Sequence, residues 1–501
     1  MTPRTRVLLL SPAPPGGSAR EQGGVAGYVS DLAIALRDHG HAVAVAASGH
    51  GFTPSHLVSR LGRRVGRCRM QQLEPIEGID RFEIINAPLL APSLWQFDDP
   101  VAEISCRPVE RALGQVVGKW NPDVVHIHGF EGFGAGIVRA LRRRAVRVVV
   151  SLHNHHPYCP QVFLMRGRRI ACTDFDGGRA CETCETGIDI GRERERRAGL
   201  RPTDPAPVLP VPPMPPTVGL DEDGLPDAAV HQILAASPAT WRPVEDADFL
   251  PTRHEPASTP FARRRMAYIA ALNHADAVLA VSAAVAELAA AMGVDTKRTR
   301  VVPIGSWAAG RGPVRLGHWP LGPEDPLRLV FLGFNTYPKG LAMLIDAIAL
   351  LPVNLRQRTH LAAFGPGCRA MEPRLAELSP WLGGWELGGG YDRQSLAGLL
   401  EGRHAGVVPS VWLDNGPQTA IELRAFGVPV IGARIGGVPD IVQDGADGWL
   451  FRANDRADLA RTIALLFEDQ RRWTSVQKQS RPWIPMAEHA ARLSELYRSV
   501  L

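Results

Sequence analysis

Short apolar runs alternate with longer amphipathic stretches along most of the chain. Near the N-terminus, Val7–Leu10 is an apolar run that suits a buried strand, and apolar positions between Val25 and Leu36 recur at helical spacing. Gly40 predicts the end of that helix, and Ala42–Ala47 predicts the next strand. A strand, a helix and a second strand in this order indicate the first β-α-β unit of a parallel, doubly wound sheet.

The same order recurs before residue 305 and starts again after residue 326. The further predicted strands are Val124–His128, Val146–Leu152, Ala277–Val281, Leu327–Leu332, Leu361–Phe364, Ala405–Val408 and Val428–Ile431. The further predicted helices are Phe133–Arg143, Ala283–Met292 with Ser282 as its N-cap, Leu341–Leu351, Thr419–Phe426 and Arg456–Phe467. The pattern therefore predicts an α/β protein with two doubly wound, Rossmann-like domains, whose facing cleft is the expected ligand site.

The domain boundaries follow from composition and from length, because 501 residues exceed what one core supports. We predict an N-terminal domain over residues 1–304, a Gly- and Pro-rich linker over 305–326, a C-terminal domain over 327–482 and a last helix, 483–501, that returns to the N-terminal domain. Residues 190–262 interrupt the first domain. Eight prolines between positions 202 and 216 predict a flexible, polyproline-like insertion there, with a lid over the acceptor side as the alternative.

Composition and charge narrow the class of protein. With 45% hydrophobic and 21% charged residues, the chain is neither mostly disordered nor fibrous. The net charge is only +5 and does not indicate a concentrated basic face, so we expect no nucleic-acid partner. Local arginine clusters are either solvated helix faces or contacts to an anionic membrane surface. No secretion signal or bilayer-spanning run is recognisable, and we expect a cytoplasmic protein, peripheral at the inner face of the cell membrane in the second case.

The segment Pro409–Glu422 carries the strongest chemical signal. A predicted strand ends in a polar turn and a helix begins within it, so unpaired amides at the positive end of a helix dipole suit a diphosphate. Asp414 and Glu422 could then bind hydroxyls of two different rings. The alternative is a helix cap at Asp414 or Asn415, with Glu422 an ordinary helix glutamate.

Several motifs recur in a characteristic order and spacing. They are Gly23–Gly24 with Gly40–Val43, Pro122–His128, Ala275–Ser282, Gly333 to Gly340, Pro409–Glu422 with Gly427–Ile431, and Gly436–Asp440 with Gly445 and Gly448. Together they resemble the retaining, nucleotide-sugar-dependent glycosyltransferases of the GT-B fold, family 4 (group 1 type). The resemblance covers nearly the whole chain apart from residues 190–262, and it implies two Rossmann-like domains and no catalytic metal.

The resemblance also implies catalytic roles. Glu422 matches the glutamate that accepts hydrogen bonds from the nucleotide ribose, and Asp414 stands where the family has a glutamate that contacts the transferred sugar. Lys339 matches the lysine that neutralises the leaving diphosphate, whereas Phe334 replaces an arginine of that turn. His153 matches a histidine that bonds the transferred sugar. The donor-binding residues that we expect are Gly23, Gly24, Gly333, Asn415, Gly416, Pro417, Gln418 and Thr419.

Two further groups complete the candidate residues. His126 and His128 share one strand face, a spacing that could bind a metal, but we favour an acceptor-side role for His128 together with Glu131. Four cysteines ending in a Cys-x-x-Cys pair suggest a structural zinc site, and four reduced thiols or a labile disulfide are the alternatives. The cysteines are Cys159, Cys172, Cys181 and Cys184.

These observations favour one function over two others. We expect transfer of a sugar from a nucleotide diphosphate sugar to a glycan or lipid-linked acceptor, with retention at the anomeric carbon, in cell-surface polysaccharide synthesis. The alternatives are a sugar-nucleotide epimerase of the same fold and a non-catalytic nucleotide-sugar-binding relative. Phe334 and Asp414, which depart from the family pattern, favour the last of these.

Overall fold

The structure is a computed structural model that divides into two compact units. It describes residues 4–14, 24–55, 64–92, 97–167, 170–172, 176–184, 189–200, 241–251, 259–318, 321–468, 473, 475–476 and 483–501. The first unit comprises Met1–Pro207, Phe249–Trp307 and Ile484–Leu501, and the second comprises Val208–Asp248 and Ala308–Trp483.

The first unit is built on an eight-stranded sheet in the order β10-β9-β6-β5-β1-β2-β4-β3. Its strands are β1 (Arg6–Leu10), β2 (Ala42–Ser48), β3 (Arg69–Ile76), β4 (Ile79–Ile85), β5 (Val124–Ile127), β6 (Arg147–Leu152), β9 (Ala277–Ala280) and β10 (Thr299–Val301). All pairings are parallel except that of the edge strand β3 with β4. Two short strands, β7 (Met165–Arg166) and β8 (Ile170–Ala171), form a separate antiparallel pair.

The helices of this unit explain why its central strands are apolar on both faces, since a parallel sheet is covered on each side. The described helices are α1 (Gly24–Asp38), α2 (Arg107–Trp120), α3 (Gly136–Arg142), α4 (Arg179–Glu182), α5 (Ile190–Arg197), α6 (Pro260–His274), α7 (Ala283–Ala291) and α15 (Met486–Val500). Val7, Leu8 and Leu9 of β1 are fully buried. The C-terminal helix α15 packs against α1 and so belongs to the first unit.

The second unit is built on a six-stranded parallel sheet in the order β13-β12-β11-β14-β15-β16. Its strands are β11 (Leu327–Leu332), β12 (Thr359–Phe364), β13 (Gly384–Gly388), β14 (Ala405–Val408), β15 (Val430–Ala433) and β16 (Gly448–Phe451). Its described helices are α8 (Leu341–Ala349), α9 (Val353–Arg356), α10 (Glu372–Leu378), α11 (Leu396–Leu400), α12 (Gln418–Ala425), α13 (Val438–Ile441) and α14 (Arg456–Glu468).

The predicted fold class is confirmed, and most predicted strands lie within one or two residues of the observed ones. Ser282 caps α7 as predicted, because its hydroxyl oxygen accepts a hydrogen bond from the Val285 amide at 3.4 Å. The sequence patterns did not predict the β3–β4 hairpin, whose edge strand is largely exposed and has no apolar run. No helix in the described ranges is long and apolar enough to cross a membrane.

The insertion differs from its prediction in two respects. It was predicted to be flexible and to lie within the N-terminal domain, but its described parts include α5, and Trp241–Asp248 belongs to the second unit. The prolines between positions 202 and 216 lie outside the described residues. The boundary between the units falls after Trp307, so that residues 308–318, predicted as linker, are part of the second unit.

Candidate active site

A tight backbone contact brings two of the predicted residues together in the second unit. The turn that follows β11 reaches Gly340, which has φ +74° and whose added Cβ would lie 1.9 Å from the carbonyl oxygen of Pro409. The Val411 amide donates to the Pro338 carbonyl at 3.0 Å. Only glycine fits this approach. The contact places Lys339 beside the polar segment that follows β14.

Lys339 and Asp414 form an ion pair at this contact. The Lys339 Nζ donates to Asp414 Oδ2 at 2.7 Å, and the Ser410 hydroxyl donates to the same oxygen at 3.2 Å. The ammonium also lies 5.2 Å from the ring centroid of Trp412, in cation–π contact. The Asp414 side chain is 6% exposed and that of Lys339 is 31% exposed. The carboxylate is therefore sequestered as a fixed counter-ion, while the ammonium stays accessible to an anion.

The predicted donor-binding residues fall into three places. Asn415–Thr419 connects Asp414 to the first turn of α12, whose N-cap, Pro417, gives no side-chain hydrogen bond to that turn. Gly333 follows β11 with φ +141°, in the same turn as Lys339. Gly24 begins α1 in the first unit, and Gly23 lies outside the described residues. These assignments stay predictions.

Glu422 lies on α12, in its second turn, and is half-buried. Burial and the negative charge of Glu422 both raise the pKa of Tyr391, so the phenol lies close to this carboxylate. Tyr391 was not found from the sequence, because it stands alone in a loop after β13, a strand that the apolar pattern did not predict. It is an additional candidate for the ribose end of the site.

The carboxyl ends of two neighbouring strands hold the predicted residues of the first unit. β5 and β6 pair in parallel, and His128 and His153 follow their last residues. A hydrogen bond of 3.0 Å joins His128 Nδ1 and His153 Nε2. The His126 ring lies 3.9 Å from that of His128, centroid to centroid, and bonds Ser151 Oγ at 2.8 Å through Nε2. His126 is thus a buried packing residue of this cluster and lines no open surface.

Aromatic residues from two helices enclose the histidine pair. Tyr28 of α1 has its ring 4.9 Å from that of His153 and its hydroxyl 2.6 Å from Nε2 of His489 on α15. The hydroxyl of Tyr497, also on α15, lies 2.7 Å from Nδ1 of His126. Sequence reasoning missed Tyr28, His489 and Tyr497, because only the packing of α15 on α1 brings them here.

The histidines of this cluster are neutral at neutral pH. Burial, reinforced by the charge of His489, lowers the pKa of His153 to about 3. Burial likewise lowers the pKa of His489 to about 4 and that of His128 well below its usual value. An imidazole with so low a pKa is a very weak base, but it still exchanges hydrogen bonds with hydroxyl groups. His128 is as buried as His126, so of this pair only the partly exposed His153 is placed to meet a sugar hydroxyl, with His128 bonded behind it.

Glu131 lies next to this pair, in the loop after β5, and is almost completely buried. Its carboxylate accepts a hydrogen bond of 3.2 Å from Asn154 Nδ2, one residue beyond His153. Close by, burial alone would raise the pKa of Glu103, but Arg264 and His156 lower it to about 2. That buried ion cluster fixes the loop after β6 and with it the orientation of His153.

The four clustered cysteines converge on the loop after β6, and the described residues include no disulfide. Burial first, and the three other thiols next, raise the pKa of Cys159 to about 12. Cys184 Sγ accepts hydrogen bonds from Gln161 Nε2 at 2.9 Å and from the Gly167 amide at 3.5 Å. Within the described ranges, no three His, Cys, Asp or Glu side chains are arranged to hold a metal ion. The chemistry of four thiols suits zinc but their geometry does not, and the zinc site stays a prediction.

Two regions of the chain match models of known protein families. Residues 319–483 match the family model of glycosyl transferases group 1, and residues 23–183 match that of the glycosyl transferase 4-like domain. Each model covers one of the two Rossmann-like regions. The chain therefore contains one region that matches each of these two glycosyltransferase models, and each region lies in one of the two Rossmann-like units.

Individual relatives match over shorter stretches. The D-inositol 3-phosphate glycosyltransferase of Thermobifida fusca is 34% identical over 158 residues, 30% of this chain and 36% of that protein. The glycogen synthase of Mycobacterium tuberculosis H37Rv is 27% identical over 226 residues, 36% of this chain and 52% of that protein. The chain thus matches between about a third and a half of the length of these relatives.

Solved structures agree over the whole fold. The sucrose-phosphate synthase of Thermosynechococcus elongatus superimposes with a TM-score of 0.59 at 18% identity, over 99% of both chains. Anabaena HepE in complex with UDP-glucose superimposes with a TM-score of 0.55 at 13% identity, over 99% of this chain and 100% of that chain. At such identities the likeness concerns the fold alone.

Proposed function

We propose that this protein is a retaining glycosyltransferase that takes a hexose from a nucleotide diphosphate sugar. The observation that carries the proposal is the accessible ammonium of Lys339, held by Asp414 at the mouth of the polar turn that leads into α12. A fixed cation and uncapped helix amides suit a diphosphate. The family matches and the UDP-glucose held by Anabaena HepE support the same donor class.

Each residue of the second unit has a role in this proposal. The bond between the anomeric carbon and the diphosphate oxygen breaks, and Lys339 stabilises the negative charge that develops on the departing diphosphate. Glu422 accepts hydrogen bonds from the ribose hydroxyls, and the buried Asp414 orients the ammonium of Lys339. The acceptor hydroxyl oxygen bonds to the anomeric carbon on the face that the diphosphate leaves. Since that hydroxyl must lose its proton, the departing diphosphate receives it.

The first unit is assigned to the acceptor and to the hydroxyls of the transferred sugar. His153 offers a neutral imidazole to sugar hydroxyls, while the buried His128 and Glu131 hold His153 and its neighbour Asn154 in place on the acceptor side. We propose a glycan or lipid-linked acceptor used in cell-surface polysaccharide synthesis. A relative of 27% identity over 148 residues in Escherichia coli K12, named as a putative colanic acid biosynthesis glycosyltransferase, supports that class. Cytoplasmic location and peripheral membrane contact are part of the proposal.

The donor can be tested without knowing the acceptor. UDP-, GDP- and ADP-glucose are each titrated into the protein while its thermal unfolding is followed. A donor at 100 times its dissociation constant raises the free energy of unfolding by about 2.7 kcal/mol. Glu422→Ala should abolish the shift for the preferred donor, whereas Glu401→Ala, an exposed glutamate of the same unit, should leave it unchanged.

Product analysis by NMR then separates the proposal from its competitors. Slow hydrolysis or transfer that first releases the α-anomer from an α-linked donor supports a retaining transferase. Conversion of the UDP-sugar into another UDP-sugar with no acceptor present would instead identify an epimerase. Tight nucleotide binding without any turnover across the donors would identify a non-catalytic relative. Turnover that survives Glu422→Ala contradicts the site itself.

A further inference from the structure

A short strap from the insertion crosses the second unit beside the Lys339–Asp414 pair. The strap, defined as Trp241–Asp248, contacts the unit at both of its ends and in its middle. Arg242, Pro243 and Glu245 are exposed, so little apolar area holds it in place. Its position depends on specific polar and aromatic contacts, and these contacts fall on segments that build the candidate site.

Trp241 anchors the first end of the strap. Its indole ring stacks on the ring of Tyr337 with centroids 5.1 Å apart and planes 5° from parallel. Its Nε1 donates to Asp346 Oδ2 at 2.8 Å. Tyr337 begins the turn that ends in Lys339, and the fully buried Asp346 lies on α8, the helix that starts directly after that turn. Trp241 therefore contacts both the lysine turn, through Tyr337, and the helix that follows it, through Asp346, which also pairs with Arg374.

Backbone pairing fixes the middle of the strap. The Val244 amide donates to the carbonyl of Ala453 at 3.0 Å, and the Asn454 side-chain amide donates to the carbonyl of Arg242 at 2.5 Å. Both partners lie in the loop after β16. These bonds set the register of the strap and so determine which of its side chains reaches the loop after β15.

Asp246 is the side chain that reaches that loop. Its carboxylate accepts a hydrogen bond of 2.6 Å from the Gly436 amide. Gly436 has φ +57° and an added Cβ there would lie 2.3 Å from the carbonyl oxygen of Asp414, while the Gly437 amide donates to that same oxygen at 2.7 Å. Asp246 thus fixes the turn on which the backbone of Asp414 rests.

We propose that Trp241 and Asp246 are positioning residues for the donor site. One end of the strap fixes the backbone that carries Lys339, and the other fixes the turn that supports Asp414. The strap thereby sets the distance between the Lys339 ammonium and the Asp414 carboxylate. It so determines the position of the cation that binds the diphosphate. The proposal rests on the proposed function of this site. It also assigns a role to part of an insertion that the matched family regions do not include.

Neighbouring carboxylates provide a matched test. Asp246→Ala removes the acceptor for the Gly436 amide, Asp246→Asn keeps an acceptor oxygen, and Glu245→Ala removes an exposed carboxylate one residue away. We expect Asp246→Ala to raise the donor KM and the nucleotide dissociation constant about 5- to 30-fold, since a hydrogen bond to a charged group is lost. Asp246→Asn should restore most of the lost donor affinity, and Glu245→Ala should leave the affinity unchanged. Because Lys339 stabilises the departing diphosphate, kcat at saturating donor should also fall, in a variant that keeps the wild-type unfolding temperature, whereas a general loss of folding would lower both.

Hydrogen exchange gives a readout that is independent of activity. In the protein without nucleotide, Asp246→Ala should speed exchange in the peptide covering 434–441, and Glu245→Ala should not. Trp241→Phe keeps the stack on Tyr337 but loses the bond to Asp346, whereas Trp241→Ala loses both. Exchange over 337–343 should therefore rise slightly in the first variant and strongly in the second.

The outcomes separate this proposal from the proposed function. If the wild-type protein binds no nucleotide sugar but exchange changes as expected, the strap orders these loops and the donor assignment fails. If the wild type binds and turns over a donor while Asp246→Ala equals Glu245→Ala in both KM and exchange, the positioning role is refuted. A fall in unfolding temperature in Asp246→Ala that accounts for all lost binding would also refute it.

Discussion

The two candidate sites of this protein use burial in opposite ways. In the second unit, Asp414 is buried and pairs with Lys339, whose side chain is partly exposed. In the first unit, His128 and His153 are enclosed by other rings, and burial keeps them neutral. A paired carboxylate stabilises a charge at a site, whereas burial among other histidines disfavours one.

This contrast matches the division of chemistry in the proposed reaction. The group that leaves is an anion and needs a cation that persists through the reaction. The groups recognised on the other side are hydroxyls, for which a charged partner would cost desolvation without a matching gain. If this division holds, removing the cation from the second unit should impair the reaction, and protonating the histidines of the first unit should destabilise the protein.

Removing the cation should have the largest effect. Lys339→Ala should lower turnover about 100-fold or more, because loss of one group that stabilises a developing negative charge costs on the order of 3 kcal/mol. Steady-state kinetics with the preferred donor measure it. Lys119→Ala changes an exposed lysine in the last turn of α2 and should leave turnover unchanged. Equal rates in the wild type and Lys339→Ala would remove Lys339 from the mechanism.

Zinc in the cysteine cluster would change the charge of the first unit, because the four thiols would be held as thiolates around the ion and the site would be negative overall. Elemental analysis of purified protein tests this: about one equivalent of zinc, with a fall in the stability of the first unit when a chelator removes it, would show that the four thiols close around a metal that their positions in this structure do not accommodate. Cys184→Ser should lower the zinc content, and Cys368→Ser, in the second unit, should not. Less than about a tenth of an equivalent of zinc in well-folded protein would favour the reduced thiols instead.

The neutral histidines predict a dependence of stability on pH. His489 has a pKa of about 4 in the folded protein, below its usual value, so the unfolded chain binds the proton first as the pH falls. Stability should be intact above about pH 6.5 and decline below it, with this residue contributing about 2 kcal/mol between pH 7 and pH 5. Urea unfolding at several pH values measures the decline. His489→Gln, which keeps a partner for Tyr28, should reduce it; an identical decline would show that His489 does not titrate as described.

The sequence predicted the repeated strands and helices well, because buried parallel strands carry short apolar runs that are easy to recognise. It also predicted that Lys339 and Asp414 belong to the same site, and in the structure their side chains form an ion pair. Tyr28, His489 and Tyr391 escaped notice, since each is an ordinary aromatic residue whose meaning arises from distant packing.

The strap is a clearer example of contacts that the sequence alone does not predict. The neighbouring proline content suggested flexibility, but the hydrogen bonds of Trp241 and Asp246 are made to residues about 100 and 190 positions away in sequence. Local composition carries no information about such partners. Hydrophobic periodicity specifies which elements form, whereas polar contacts between elements depend on the completed fold.

The smallest effect concerns Phe334, in the turn after β11, at a position where the family resemblance implies an arginine. Phe334 is 47% exposed, which a large apolar side chain tolerates only at some cost, and its neighbour Asn335 ties the turn to Gly367. Phe334→Arg should place a second cation near Lys339 and tighten nucleotide diphosphate binding about threefold at low salt, an effect that fades as salt screens the charge. Titration calorimetry at two salt concentrations measures it, with Phe334→Leu as the control. Weaker binding in Phe334→Arg would mean that the phenyl ring itself contacts the donor.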